Sequence, residues 1–267
     1  MKVSLIPTVL AASLLGCSVT IPGDVNGDGV VNEDTEGVEK LGPFTGVTNR
    51  SDADVELAGD DVGDDLEAGD VTILCEGGLV ADVELSVDGD GYLIIDMAAE
   101  IASVLGCKIR VIADGVADVV DEGDGDIVCD DPLLDVRSVT VGGNGSVTLA
   151  SVTADELNIL VTGNGALTIA AVAVDQLNID LRGAGDATLA GDTVNAYFES
   201  VGNGDLRAKE LTVSDTLDAM LSGTGNGVIT VLGIVNAEVH GDASLEVYGG
   251  AEPGQIEEVD GGEVIFY

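Results

Sequence analysis

The sequence predicts an all-β fold, a parallel β-helix or β-solenoid of about 20 residues per rung in one or two β-helical parts. Three observations predict it. First, the pair G-x-G recurs at Gly123/Gly125, Gly143/Gly145, Gly163/Gly165, Gly183/Gly185, Gly202/Gly204 and Gly223/Gly225, with a degenerate copy at Gly241-Asp242-Ala243. The first glycines are 20, 20, 20, 19 and 21 residues apart, and a period of this size marks stacked units. Second, strand-like runs flank the glycines on both sides, as in Leu157-Asn158-Ile159-Leu160-Val161 before Gly163 and Leu167-Thr168-Ile169 after Gly165. Third, aromatic residues are 3% of the chain and Trp is absent. The core must therefore be built from Val, Ile, Leu and Ala, which suits thin stacked strands.

The chain opens on a processing segment. Lys2 gives a short positive region, Val3 to Leu15 is apolar, and Leu14-Leu15-Gly16-Cys17 follows. This resembles the bacterial lipoprotein signal with its lipobox, although Leu15 departs from the usual residue at its position. The resemblance implies cleavage before Cys17, removal of residues 1–16, and a lipid on the Cys17 thiol that anchors the protein to a membrane. Ser18 lacks the acidic residue tied to inner-membrane retention, so the resemblance favours the outer membrane. An ordinary secretory signal is the alternative.

Residues 17–42 read as a lipidated tether holding a calcium-type loop. Asp24, Asn26 and Asp28 place side-chain oxygens on alternating residues, Gly29 supplies a sharp turn, the Val30 carbonyl is the next ligand, and Asn32 follows. The run resembles one calcium loop of a dockerin repeat. It departs at its end, where Thr35 stands in place of a carboxylate. The competing reading is a flexible Asp/Asn/Gly linker.

From Pro43 the chain turns to short strands: 55–57, 71–75, and a hairpin of 83–87 with 92–95 around Asp88-Gly89-Asp90-Gly91. Residues 60–70 read as an acidic loop and 97–105 as one short helix or a loop. Lys108-Ile109-Arg110-Val111 resumes strand character. In the repeats, Leu157, Ile159, Val161, Leu177, Ile179 and Leu181 are expected to point inward and stack as aliphatic ladders. The glycines are expected at the corners because they tolerate a positive φ. A dinucleotide-binding reading fails, since a strand and not a helix follows each pair. A nine-residue calcium roll fails on the step, with Asp after the second Gly only at Asp126, Asp186 and Asp205.

Together these residues resemble the head GIN domain family, also called putative auto-transporter adhesin. Pro43-Phe44-Thr45-Gly46-Val47 is similar to its opening strand, 82–95 to the hairpin before its repeats, and Val247-Tyr248-Gly249-Gly250 to its closing rung. The resemblance spans 43–267. It implies a β-solenoid on secreted or cell-surface bacterial proteins and brings no activity with it.

Chemistry is sparse. Beyond Cys17, the cysteines are Cys75, Cys107 and Cys129. A Cys75–Cys107 disulfide is expected, leaving Cys129 as a buried thiol or as the true partner of one of them. His240 is the single histidine and lies far from these cysteines in the repeat order. Carboxylates are too abundant for any pair to signal glycosidase chemistry. With 9 Lys+Arg against 50 Asp+Glu the formal charge is -41, which excludes nucleic acid and favours cations and basic partners. The expectation is a lipid-anchored bacterial cell-surface protein with a structural or adhesin-like role. It has no catalytic residues, needs no cofactor, and meets a surface protein, glycan or matrix. The alternatives are a polysaccharide-acting β-helix enzyme and a calcium-dependent binding module.

Overall fold

The computed structural model describes residues 17–20, 35–59, 67–75, 82–97, 107–113 and 115–267. The predicted signal segment, the calcium-type loop at 24–32 and the segment 98–105 lie outside these residues. Among the described residues the chain is built from strands. The first ten are β1 (Cys17–Thr20), β2 (Thr35–Lys40), β3 (Gly46–Asn49), β4 (Asp54–Ala58), β5 (Asp70–Cys75), β6 (Val83–Val87), β7 (Tyr92–Met97), β8 (Cys107–Ile112), β9 (Asp118–Asp121) and β10 (Ile127–Leu134). Next come β11 (Ser138–Val141), β12 (Val147–Val161), β13 (Leu167–Leu181), β14 (Ala187–Ser200) and β15 (Leu206–Gly223). The last are β16 (Gly227–Val231), β17 (Ile234–Gly241), β18 (Ser244–Tyr248), β19 (Glu252–Val259) and β20 (Glu263–Phe266).

From β11 onward the coil is regular and parallel. Each rung pairs with the next in sequence: Leu157 with Leu177, Leu177 with Ala196, Ala196 with Leu217, Leu217 with Val235. A rung cannot bury its own apolar face, so the columns do it collectively. Leu157, Ile159, Val161, Leu177, Ile179 and Leu181, all expected inside, are at most 2% exposed. Phe198 is the largest fully buried side chain. A Cβ on Gly227 would come within 2.8 Å of its ring, so the aromatic fills volume that Gly227 leaves free.

The reason for the corner glycines differs from the sequence expectation. None of the G-x-G glycines from Gly123 to Gly225 takes a positive φ; those values fall at Gly91, Gly191, Gly241 and others. The constraint is the rung beneath. A Cβ on Gly143 would land on the Gly123 carbonyl oxygen, one on Gly163 on that of Gly143, and one on Gly183 on that of Gly163. Corner backbones stack too closely for any side chain to fit between them.

The base is wound differently. Strand β3 is flanked by β7 and β9, and β4 by β8 and β10, all in parallel. The opening strand at 46–49 is thus an interior rung, and the chain passes over it on the way from β8 to β9. Below β7 and β8 the direction reverses: β6 pairs antiparallel with β7 and β1, and β5 with β8 and β2. The expected hairpin is β6–β7, with Gly91 at φ 88 in its turn and the Asp88 carboxylate accepting from the Asp90 and Tyr92 N–H groups. Residues 17–20 and 35–40, within the segment read as a tether, pair as strands at this end.

The other end also differs from expectation. Val247 to Gly250 is not the closing rung, because β19 and β20 add one more. In that rung Pro253 and Glu258 occupy columns held by Val235 and Val239 below. The Glu258 carboxylate accepts from the Val264 N–H at 2.7 Å. A proline and an inward-column charge on an edge strand discourage further pairing.

Candidate functional surface

The residues singled out for chemistry do not converge. Cys17 lies in β1. Cys75 and Cys107 face each other across β5 and β8, with Cα atoms 4.2 Å apart, and are joined by a disulfide. Cys129 is a buried free thiol bonded to the Asp131 carbonyl at 3.4 Å. Burial pushes its pKa up to about 11, the reverse of what a nucleophile needs. His240 sits in β17, several rungs away, with its ring nitrogen 2.6 Å from Glu238. Among the described residues, no group of three or more His, Cys, Asp or Glu side chains is arranged to hold a metal.

The aspartates that follow the second corner glycine have a structural task. The Asp126 carboxylate accepts from the Ser146 N–H at 2.7 Å, Asp186 from Asp205 N–H at 2.8 Å, and Asp205 from Asn226 N–H at 2.9 Å. Each thus satisfies a backbone donor of the next rung where the chain bends. Between the glycines a side-chain ladder runs outward: Asn144 donates to Asp124 at 2.7 Å and Asn164 to Asn144 at 2.8 Å.

Where base meets repeats, the corner chemistry is buried. Residues Ser51 to Ala53 form the corner beneath Gly123 and Gly125, whose added Cβ atoms would strike the Ser51 and Ala53 carbonyls. Asn49 holds this corner, donating to the Ala53 carbonyl at 3.1 Å and the Gly125 carbonyl at 3.2 Å, and accepting from Ser51 Oγ at 2.7 Å. Asp121 stacks directly on Asn49. It is 0% exposed, and neither carboxylate oxygen has a hydrogen-bond partner. Burial raises its pKa to about 7, with Asp126, Asp124 and Glu122 adding to the rise and the nearby Gly123 N–H opposing it.

A broad open groove of about 610 Å³ lies on the outer face of β14, β15, β17 and β19. Tyr197, Asp218, Met220, Asn236, Glu238 and Glu257 contribute to it. A β-bulge lies along it: the register between β17 and β19 shifts between Val235 and Ala237. Gly254 permits the shift, since a Cβ there would collide with Asn236 Oδ1, and that same oxygen accepts the Gln255 N–H at 2.9 Å. Burial, and then the hydrogen bond to Glu199, raise the Tyr197 pKa. The periodicity of the sequence does not mark this groove; its signal is Pro253-Gly254, which breaks the strand pattern in the last rung.

Flat stacked faces, structural polar ladders and a shallow groove define a solenoid scaffold. The head GIN domain profile, described as putative auto-transporter adhesin, matches residues 43–251, and the chain belongs to that family. Several solved structures share the fold. A putative adhesin from Parabacteroides distasonis superposes with a TM-score of 0.77 at 19% identity, covering 90% of this chain and 98% of its own. A putative adhesin from Bacteroides fragilis gives 0.65 at 19% identity, covering 87% and 96%. A putative lipid binding protein from P. distasonis gives 0.70 at 17% identity, covering 92% and 99%. No functionally curated protein matches the chain.

Proposed function

We propose that this is a lipid-anchored protein of the bacterial cell surface, most consistent with the outer membrane, whose solenoid serves adhesion or scaffolding and not catalysis. The observation that carries the reading is the use of polar residues. The repeated Asp and Asn side chains are spent on rung-to-rung hydrogen bonds, and the Cys129 thiol is buried and held protonated. Membership of a family described as adhesins supports the surface role. The anchor rests on Leu14-Leu15-Gly16-Cys17. Among the described residues no helix is long and apolar enough to cross a membrane.

The anchor is tested by labelling cells with a palmitate analogue and comparing wild type with Cys17→Ala. Label on wild type alone, with surface protease sensitivity, supports it; equal label on both removes it. The calcium module remains a separate proposal on Asp24, Asn26, Asp28, Val30 and Asn32. Calorimetry with Ca²⁺ on wild type and Asp28→Ala decides it, and heats that do not differ between them remove it.

A further inference from the structure

We propose that the groove over β15, β17 and β19 is a docking site for an extended polypeptide segment bearing Lys or Arg. The inference deepens the surface-interaction reading and rests on it. Three features of the groove point to such an occupant.

The first is an unfavourable stack of charge. Glu199, Met220, Glu238 and Glu257 follow one another in a single outward column, one per rung. Adjacent rungs lie about 4.8 Å apart, so Glu238 and Glu257 repel each other with no intervening residue. The His240 Nε2 lies 2.6 Å from the Glu238 carboxylate. Asp218 stands in the next outward column, its Oδ1 accepting from Asn236 at 2.8 Å. Elsewhere on this face the balance is met internally, as where Arg182 pairs with Asp180 at 2.5 Å. At the groove no Lys or Arg lines the wall.

The second is the floor. Met220 is 45% exposed and Tyr197 36%, with the Tyr197 hydroxyl 3.6 Å from Met220 Sδ. An exposed thioether beside an aromatic ring offers nothing to a hard metal ion. It does suit the aliphatic stem of a lysine or arginine, whose charged head then reaches the surrounding carboxylates. Apolar floor and anionic rim together select an amphipathic cation.

The third is the bulge. It inserts one extra residue into β19, at Gly254-Gln255, within the lining of the groove. The Gln255 side-chain amide, at the same level, supplies neutral hydrogen-bonding groups for a peptide backbone. The wider field of a chain with formal charge -41 steers a basic segment toward the surface but does not choose the groove.

The test is fluorescence anisotropy on the folded, full-length mature chain at low salt. The probe is a fluorescein-labelled peptide of alternating Lys and Ser, with an alternating Glu and Ser peptide beside it. The groove variant is Glu238→Gln with Glu257→Gln. The control, Glu84→Gln with Glu210→Gln, removes the same charge from exposed positions outside the groove. Loss of two partly exposed ion pairs is worth about tenfold in affinity. The proposal expects the groove variant to weaken lysine-peptide binding about tenfold and the control by under about twofold. Equal weakening by both variants, equal binding of the glutamate peptide, or no binding of the lysine peptide overturns it. Cells displaying the full chain are scored in parallel for attachment. Attachment that persists while peptide binding fails removes the groove and leaves the surface role standing.

Discussion

The base, residues 35–134, and the repeats, residues 138–267, use the same rung but assemble it in opposite ways. In the repeats, neighbours in space are neighbours in sequence, about 20 residues apart. In the base, contacts leap: Arg50 pairs with Glu122 and Asp126 bonds to Asp54, each across 72 residues. Long closures cost more chain entropy, although the cost grows slowly with length. The repeats accordingly need little beyond aliphatic columns and corner glycines. The base adds a disulfide, two antiparallel layers and a buried polar corner at Asn49 and Ser51. Local periodicity lets a simple sequence specify a fold, whereas non-local winding needs individual fasteners.

The sharpest break of the comparison is in the repeats. Phe198→Ala should cost about 4 kcal/mol, because no neighbouring rung can move in to fill the void beside Gly227. Urea denaturation followed by far-UV circular dichroism checks it, and a loss under about 1 kcal/mol would show that the columns repack freely. Next is the fastener of the base. Cys75 and Cys107 enclose a separation of 32 residues, so the Cys75→Ser, Cys107→Ser pair should lose about 3.5 kcal/mol. Hydrogen exchange should show the loss in β5 and β8 with β13 and β14 still protected. Uniform loss of protection would mean that base and repeats unfold as one unit.

Gly163→Ala should then cost about 3 kcal/mol, since backbone lies on the side where the methyl must go. Gly89→Ala, in a turn with nothing within 4 Å, should stay within about 0.5 kcal/mol. Matching melting temperatures for the two variants would contradict the stacking argument.

The last effect concerns pH and belongs to the base. Burial lifts the folded pKa of Asp121 from its ordinary value of 3.8 to about 7, so the native state holds this proton more tightly than the unfolded chain. Its contribution is therefore most favourable at low pH, falls as pH rises through the interval between these values, and stays unfavourable above about pH 7. Asp121→Asn should match wild type near pH 4 and be the more stable of the two at pH 8, read as the difference between their thermal midpoints. A variant that is less stable than wild type at pH 8 would show that the carboxylate has an unseen partner.

The repeats were legible in sequence because glycine is a visible signature of a corner. The base corner at 51–53 carries Ser, Asp and Ala, so the periodicity search passes over it. Its position next to Gly123 follows from winding order, which no local pattern records. The aspartates after the glycines show the converse difficulty. In sequence they resemble the start of a calcium roll, and only the register reveals that their oxygens point to the next rung's amides. The bulge along the groove is a single extra residue in β19, too small a change for periodicity to register.

The interior place of β3 and β4 has a consequence for how the protein is made. A chain synthesised from its N-terminus delivers this rung before the strands that flank it, with both edges open. One edge waits for β7 and β8, and the other for β9 and β10, whose last residue is Leu134. The base cannot close until half of the polypeptide has appeared, whereas each later rung finds a finished template on arrival. During synthesis the early chain is the vulnerable part, and its safety depends on how quickly the middle of the sequence follows.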